Sequence, residues 1–245
     1  MSAPAVPATT TLLQHEELLI RADRTAVMAT LARGMAHDLR GPLQTLTLMV
    51  DPHADVFGGP EGARLMGAVS TAVQHLTDTI TRFSQVYAPI DSEPAPLIAE
   101  EILHYVSDLQ RYQRGLAAAE LSIRLTSGLP PMRGVESHLR HILLSLIVNA
   151  KQALHGRSDG QITLGADHAG PEIRLSVEDN GPGMSPETMS RAFEPFFTTR
   201  EGGMGIGLTV ARWLTERMGG RLVLEPARYG GLNAVVVLPE WRRGG

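Results

Sequence analysis

The sequence predicts an α+β protein in two parts: an N-terminal helical hairpin that completes a four-helix bundle as a dimer, followed by an α/β sandwich. Three observations predict it. Apolar residues recur at helical steps over two long stretches, with a Gly/Pro break between them. A segment marked by Pro89, Pro94 and Pro96 follows. Beyond it, helix-like and strand-like stretches are mixed and several strands are adjacent, the pattern of one sheet with helices on one face.

Taken in order, residues 1–11 are mostly small and interrupted by Pro4 and Pro7, and read as a disordered tail. A helical pattern begins at Leu12. Its apolar face runs through Met28, Leu31, Met35, Leu39, Leu43, Leu46 and Met49. Asp51-Pro52 and Gly58-Gly59-Pro60 break it. The second stripe is Leu65, Val69, Val73, Leu76, Ile80, Phe83 and Tyr87. A lone hairpin cannot cover two wide stripes, so residues 12–88 read as half of a four-helix homodimer. Residues 89–96 read as a linker and 97–241 as the second unit. In that unit, Leu97–Arg111, Glu136–Leu154 and Met204–Met218 have helical patterns. Leu121–Leu125, Gln161–Gly165, Glu172–Glu178, Arg221–Glu225 and Asn233–Leu238 read as strands.

Composition excludes several classes. The formal charge is −4, so no basic excess supports a nucleic-acid or anionic-membrane surface. There are no cysteines, which removes disulfides, Cys-type zinc sites, iron–sulfur clusters and thiol nucleophiles. No apolar run approaches the ~18 residues of a spanning helix, and the N-terminus lacks a signal-peptide layout. The expectation is a soluble, cytoplasmic protein with no membrane insertion.

Five segments carry chemistry. Asp179, just past a strand, precedes Gly181 and Gly183, with Met184 next. A buried carboxylate accepts hydrogen bonds only, so it suits the amino group of adenine and rejects the carbonyl of guanine. Glycines beside it allow a flat ligand to approach the backbone. Asp-Asn-Gly is also ordinary turn chemistry. Gly203, Gly205 and Gly207, followed by Leu208, open a helix, where exposed N–H groups attract phosphates; a flexible loop is the plainer alternative. Asn149 sits on a helix that is otherwise apolar. Its amide oxygen suits Mg²⁺, and a backbone-bonded helix-end Asn is the alternative. Three of the five phenylalanines fall in Phe193–Phe197, followed by Thr199 and Arg200. They read as an aromatic-pinned lid or as a core anchor. Finally, His37 lies two residues past Met35, rotated about 200° from the apolar stripe and so accessible. Asp38 beside it can take or polarise a proton. Pro42 removes the donor to the Asp38 carbonyl and loosens that turn.

Together and in this order, these segments resemble the sensor histidine kinases, over about residues 25–240. His37–Leu43 resembles the phosphoacceptor box and Asn149 the N box. Asp179-x-Gly181-x-Gly183 resembles the first glycine box, Phe193–Phe197 the F box, and Gly203-x-Gly205-x-Gly207 the second glycine box. The Phe-Phe-Thr-Thr-Arg and Asn-Ala-x-x-Ala runs are most similar to the nitrogen-regulation subgroup.

The resemblance implies an ATP-binding sandwich of the GHKL type, with ATP and Mg²⁺ required. Asn149 would hold Mg²⁺. Asp179 would recognise adenine, with Gly181, Gly183, Met184, Phe193, Thr199, Arg200 and Leu208 around the nucleotide and Gly203, Gly205 and Gly207 along its phosphates. His37, assisted by Asp38, would attack the γ-phosphate and pass the phosphoryl group to an Asp of a response regulator receiver domain. Two departures bear on this. The second N-box Asn is replaced by Ser145, which weakens metal binding and removes the place where gyrase-like ATPases carry a hydrolytic Glu. Gly41 stands where many members carry Thr or Asn, which implies weak or no phosphatase activity. No segment before His37 looks like a sensor, so input is expected from a separate sensory protein, from the N-terminal helix itself, or from a domain lost or absent. The competing readings are a non-catalytic phosphotransfer adaptor with a vestigial nucleotide domain, opposed by the intact boxes, and an anti-sigma serine kinase, opposed by His37-Asp38 in its bundle.

Overall fold

A computed structural model describes residues 16–27, 93–111, 119–200, 203–228 and 230–242. The expected helical hairpin, residues 12–88 with His37 and Asp38, lies outside the described residues except for 16–27. Of its first helix, α1, residues 16–27 are described, and they are helical. An Arg21–Glu17 ion pair of 2.7 Å, one turn apart, supports it on its exposed side.

The remaining elements are β1 (Ala95–Leu97), α2 (Ala99–Arg111), β2 (Glu120–Leu125), β3 (Met132–Gly134), α3 (Glu136–Ala153), β4 (Gln161–Ala169), β5 (Glu172–Asp179), α4 (Pro186–Arg191), α5 (Gly207–Arg217), β6 (Arg221–Pro226) and β7 (Leu232–Pro239). A five-stranded sheet runs β2-β4-β5-β7-β6. β2 and β4 are parallel, and the other neighbours are antiparallel. Its strands alternate as period-two patterns require. One face carries Ile162, Leu164, Ile173, Leu175, Val177, Leu222, Leu224, Ala234, Val236 and Leu238, all buried in the core.

α3 is the central helix of that core. From Ile142 to Lys151 every residue except Asn149 is buried, including Ile142, Leu143, Leu144, Leu146 and Ile147. A helix apolar nearly all round belongs inside. It packs on α5, on α2 and on the sheet. Thus α3 and α5 lie side by side over one sheet face, the layering expected from the sequence.

Some details differ from the expectations. Pro96, read as linker, is in β1, opposite Arg133 in a two-stranded antiparallel sheet where one missing N–H is tolerated. The helix expected from Leu97 therefore starts at Ala99. β3, three residues long, is too short to show a period. The helix expected from Met204 begins at Gly207, because Gly205 has φ of +66° and cannot be helical. A short helix, α4, is additional to the expected elements, although its signal is present: Ser185 caps it by accepting from Thr188 N at 3.1 Å, and Pro186 follows at N1. Among the described residues no helix is long and apolar enough to cross a membrane.

Candidate functional site

The site is built where α3, the end of β5 and the start of α5 converge. Two adjoining clefts of about 350 and 410 Å³ lie there. They share Asn149, Gln152, Met184, Thr188, Thr199, Arg200 and Leu208. Asp179, Gly183 and Ala234 line one. Ser145, Gly203, Gly205 and Gly207 line the other.

Asp179 is the last residue of β5, and its register partner across the sheet is Ile162. It is buried, 6% exposed, on the inner face. Its Oδ1 accepts from Gly181 N at 2.8 Å and from Leu232 N at 3.4 Å. Burial raises the carboxyl above the ordinary aspartate range. The two backbone donors and the Arg200 charge pull the other way, and Glu178 adds a little to the rise. A desolvated carboxylate fixed through one oxygen keeps the other for a donor.

Gly231, which the sequence motifs did not single out, closes the β6–β7 turn against this carboxylate. A Cβ there would collide with the Asp179 carbonyl oxygen, and its φ is +86°. The signal was the Gly230-Gly231 pair between two strand patterns.

Asn149 lies near the C-terminal end of α3 and is half-buried. Its Oδ1 accepts from Arg200 Nη1 at 3.4 Å, and the same guanidinium nitrogen donates to Gln152 Oε1. Burial lowers the Arg200 pKa, while the Asp179 charge opposes that shift. The guanidinium therefore stands between the two clefts, tied to α3. Gln152 is a second cleft residue outside the sequence motifs; it sits one turn past Val148 on the Asn149 helix.

The aromatic segment behaves as two anchors and one exposed ring. The Phe193 carbonyl accepts from Thr209 Oγ1 at 3.1 Å, and the Arg212 guanidinium lies 5.3 Å from the Phe193 ring centre. Arg191 stacks over Phe197 at 4.2 Å. Phe196 is 68% exposed with φ of +66°, so its ring is no pin among the described residues. Gly205 makes this packing possible: a Cβ on it would lie 2.5 Å from the Phe196 carbonyl carbon and 2.6 Å from the Phe197 oxygen. The second glycine loop is thereby pressed against the aromatic segment before it leads into α5.

Thus Asn149, Asp179, Gly183, Met184, Thr199, Arg200, Gly203, Gly205, Gly207 and Leu208 are brought to one region. Gly181 supports it as a donor to Asp179 and Phe193 as a fastening for α5. His37 and Asp38 lie outside the described residues.

Comparison with known proteins agrees with this arrangement. Residues 134–242 match the family described as histidine kinase-, DNA gyrase B-, and HSP90-like ATPase. The chain is 28% identical over 227 residues to the C4-dicarboxylate transport sensor protein DctB of Rhizobium meliloti, covering 89% of this chain and 35% of that one. It is 26% identical over 231 residues to the sensor histidine kinase ZraS of Escherichia coli strain K12, covering 93% and 48%. It is also 26% identical over 226 residues to the nitrogen regulation protein NtrY of Azorhizobium caulinodans, covering 86% and 28%. The chain thus spans about a third to a half of the length of these relatives. In fold, it is similar to the nucleotide-free catalytic domain of histidine kinase ThkA, with TM-score 0.54, 23% identity, and 61% and 99% of the two chains covered. Full-length ShkA in complex with AMPPNP gives TM-score 0.54 and 23% identity over 93% of this chain and 46% of that one. Residues 134–242 therefore form an ATPase domain of the histidine kinase, DNA gyrase B and HSP90 type, and the chain that carries it is a relative of the sensor histidine kinases.

Proposed function

We propose that this chain is the kinase core of a two-component system: it binds ATP in the paired clefts, phosphorylates its own His37, and passes the phosphoryl group to an aspartate of a response regulator receiver domain. The observation that carries the reading is Asp179, a buried carboxylate held through Oδ1 beside a cleft whose far side is a glycine loop leading into a helix N-terminus. That pairing suits a ligand with an amino-bearing flat ring at one end and phosphates at the other.

Asp179 accepts from the adenine amino group, with Gly183 and Met184 against the ring. Gly203, Gly205 and Gly207 present backbone N–H groups to the phosphates, with Thr199 and Arg200 beside them. Asn149 would hold Mg²⁺ through Oδ1. The donor set fits, since this ion takes oxygen ligands and is shared with substrate phosphates, and among the described residues the Asn149 oxygen holds one long bond, from Arg200. Bound there, Mg²⁺ supplies neutralisation of phosphate charge. A ring nitrogen of His37 attacks the γ-phosphorus, the bond to the bridging oxygen breaks, and ADP leaves. Asp38 holds the proton on the other ring nitrogen. The receiver carboxylate then displaces the imidazole. Residues 12–88 form the dimerising, phosphoacceptor hairpin and 97–241 the catalytic unit, joined through 89–96. The reaction takes place in the cytoplasm. Gly41 leaves the phosphatase activity weak.

The test is incubation with γ-phosphate-labelled ATP. The expected label is acid-labile and alkali-stable, and absent from His37→Ala. An acid-stable label, or one that persists in His37→Ala, would overturn the reading.

A further inference from the structure

The cleft has a wall that none of its motifs supplies. Ile20, Asp23 and Val27 of α1 follow helical steps of three and four, so they share one face, and all three are buried. Ile20 and Val27 join the hydrophobic core. Asp23 Oδ2 is hydrogen-bonded to His141 Nε2 of α3 at 2.9 Å, with the two side chains 5% and 2% exposed. Glu16 reaches Arg217 of α5 at 3.4 Å. α1 is thus fastened to both helices that frame the site.

The other oxygen of Asp23 faces that site. Oδ1 is 3.6 Å from where a Cβ on Gly207 would stand, and Ser145 Oγ and Asn149 Nδ2 are 3.1 and 3.4 Å from the same point. Asp23, Ala26 and Val27 line the glycine-loop cleft and not the one that holds Asp179. A carboxylate here opposes what its surroundings favour. The start of a helix and a glycine loop attract anions, whereas a like charge a few ångströms away in a half-buried site repels them. The repulsion grows with the number of phosphates.

We infer that α1 is a removable wall of the nucleotide site, and that Asp23, positioned by His141, selects against nucleoside triphosphate relative to diphosphate while α1 is seated. The inference rests on the cleft being a nucleotide site. Val27 is ten residues before His37 in the chain, so seating α1 and delivering His37 draw on one continuous segment.

Calorimetric titration of the full chain with ATP and with ADP, each in Mg²⁺ and in EDTA, tests this. Asp23→Asn keeps the size of the side chain and a hydrogen-bond partner for His141. Ile20→Ala loosens the seat without altering a polar group of the cleft. In both, the affinity for ATP relative to ADP is expected to rise about tenfold, with ADP itself changed less than about twofold. A ratio unmoved in Asp23→Asn overturns the inference. So does a loss of ATP affinity confined to the Mg²⁺ buffer, because the carboxylate would then serve the cation. Failure of the unsubstituted chain to bind either nucleotide removes the nucleotide reading itself, a different result from an unmoved ratio.

Discussion

Replacing Asp179 by Asn separates the proposed binding role from any structural one. Oδ1 of Asp179 is engaged by Gly181 N at 2.8 Å and Leu232 N at 3.4 Å. An Asn in the same rotamer keeps its oxygen on those donors and turns its amino group toward the cleft. The adenine amino group then meets a donor where it met an acceptor. A hydrogen bond to a charged acceptor is worth about 1.5–3 kcal/mol, and two buried donors left facing each other cost about 1–3 kcal/mol more. The sum, about 2.5–6 kcal/mol, corresponds to at least about a 50-fold loss of ATP affinity.

Stability should move the other way. Burial raises the folded-state pKa of Asp179 above its unfolded value. The folded chain therefore holds this proton more tightly, and ionisation penalises the fold once pH rises through the folded pKa. At neutral pH the neutral Asn escapes that penalty, so the melting temperature of Asp179→Asn should equal or exceed that of the parent. As pH falls below the unfolded pKa, both forms are neutral and the difference closes. Calorimetry with ATP and thermal melts between about pH 3 and 8 read the two effects. An Asp179→Asn protein that binds ATP within about threefold of the parent, or one that melts well below it at neutral pH, refutes the reasoning.

Two further predictions come from backbone and burial. Gly205→Ala should lower stability by about 1–2 kcal/mol through its left-handed φ of +66° alone. It should also weaken ATP binding, because the new methyl stands 2.5 Å from the Phe196 carbonyl carbon and must push the glycine loop off the aromatic segment; denaturant titration and calorimetry measure the pair of effects. Lys151 is buried, and desolvation lowers its pKa to about 8 from 10.5. The unfolded chain then binds more protons than the folded one between those values, so stability should rise with pH across that window. Lys151→Met should flatten the rise and stabilise the protein at neutral pH by on the order of 2–3 kcal/mol, seen in melts from neutral pH up to 10.5.

The sheet and its helices were legible because their periods are long and clean. Glu172–Asp179 alternates half-buried and buried residues along its whole length, and α3 is apolar nearly all round. What the sequence hides is short or non-local. β3 has three residues, and no pattern of period two can be seen in three. The nucleotide-type motifs were legible for a different reason: spaced glycines and a strand-end Asp are local. Gln152 and Gly231 were not, since each matters through a contact with a distant residue: Arg200, 48 positions away, and the Asp179 backbone. Phe196 shows the opposite failure. Its aromatic character suggests a pin, whereas its positive φ turns the ring to the surface and leaves the fastening to Phe193 and Phe197.

Ser145 and α1 are best understood together. From the sequence, Ser145 is a loss: an amide replaced by a small hydroxyl one turn before Asn149. In the fold, its Oγ lies 3.1 Å from the point where a Cβ on Gly207 would stand, and Asp23 Oδ1 approaches that point to 3.6 Å. A Cβ at 207 would crowd the Ser145 hydroxyl and meet Asp23 only at ordinary contact distance. Ser145, the bare backbone of Gly207 and Asp23 thus meet around one point of the cleft. Beside that small residue the cleft wall is completed by the Asp23 carboxylate, which belongs to a different helix and to a stretch of chain that continues to His37. A wall built on α3 is fixed, whereas one built on α1 depends on where α1 lies.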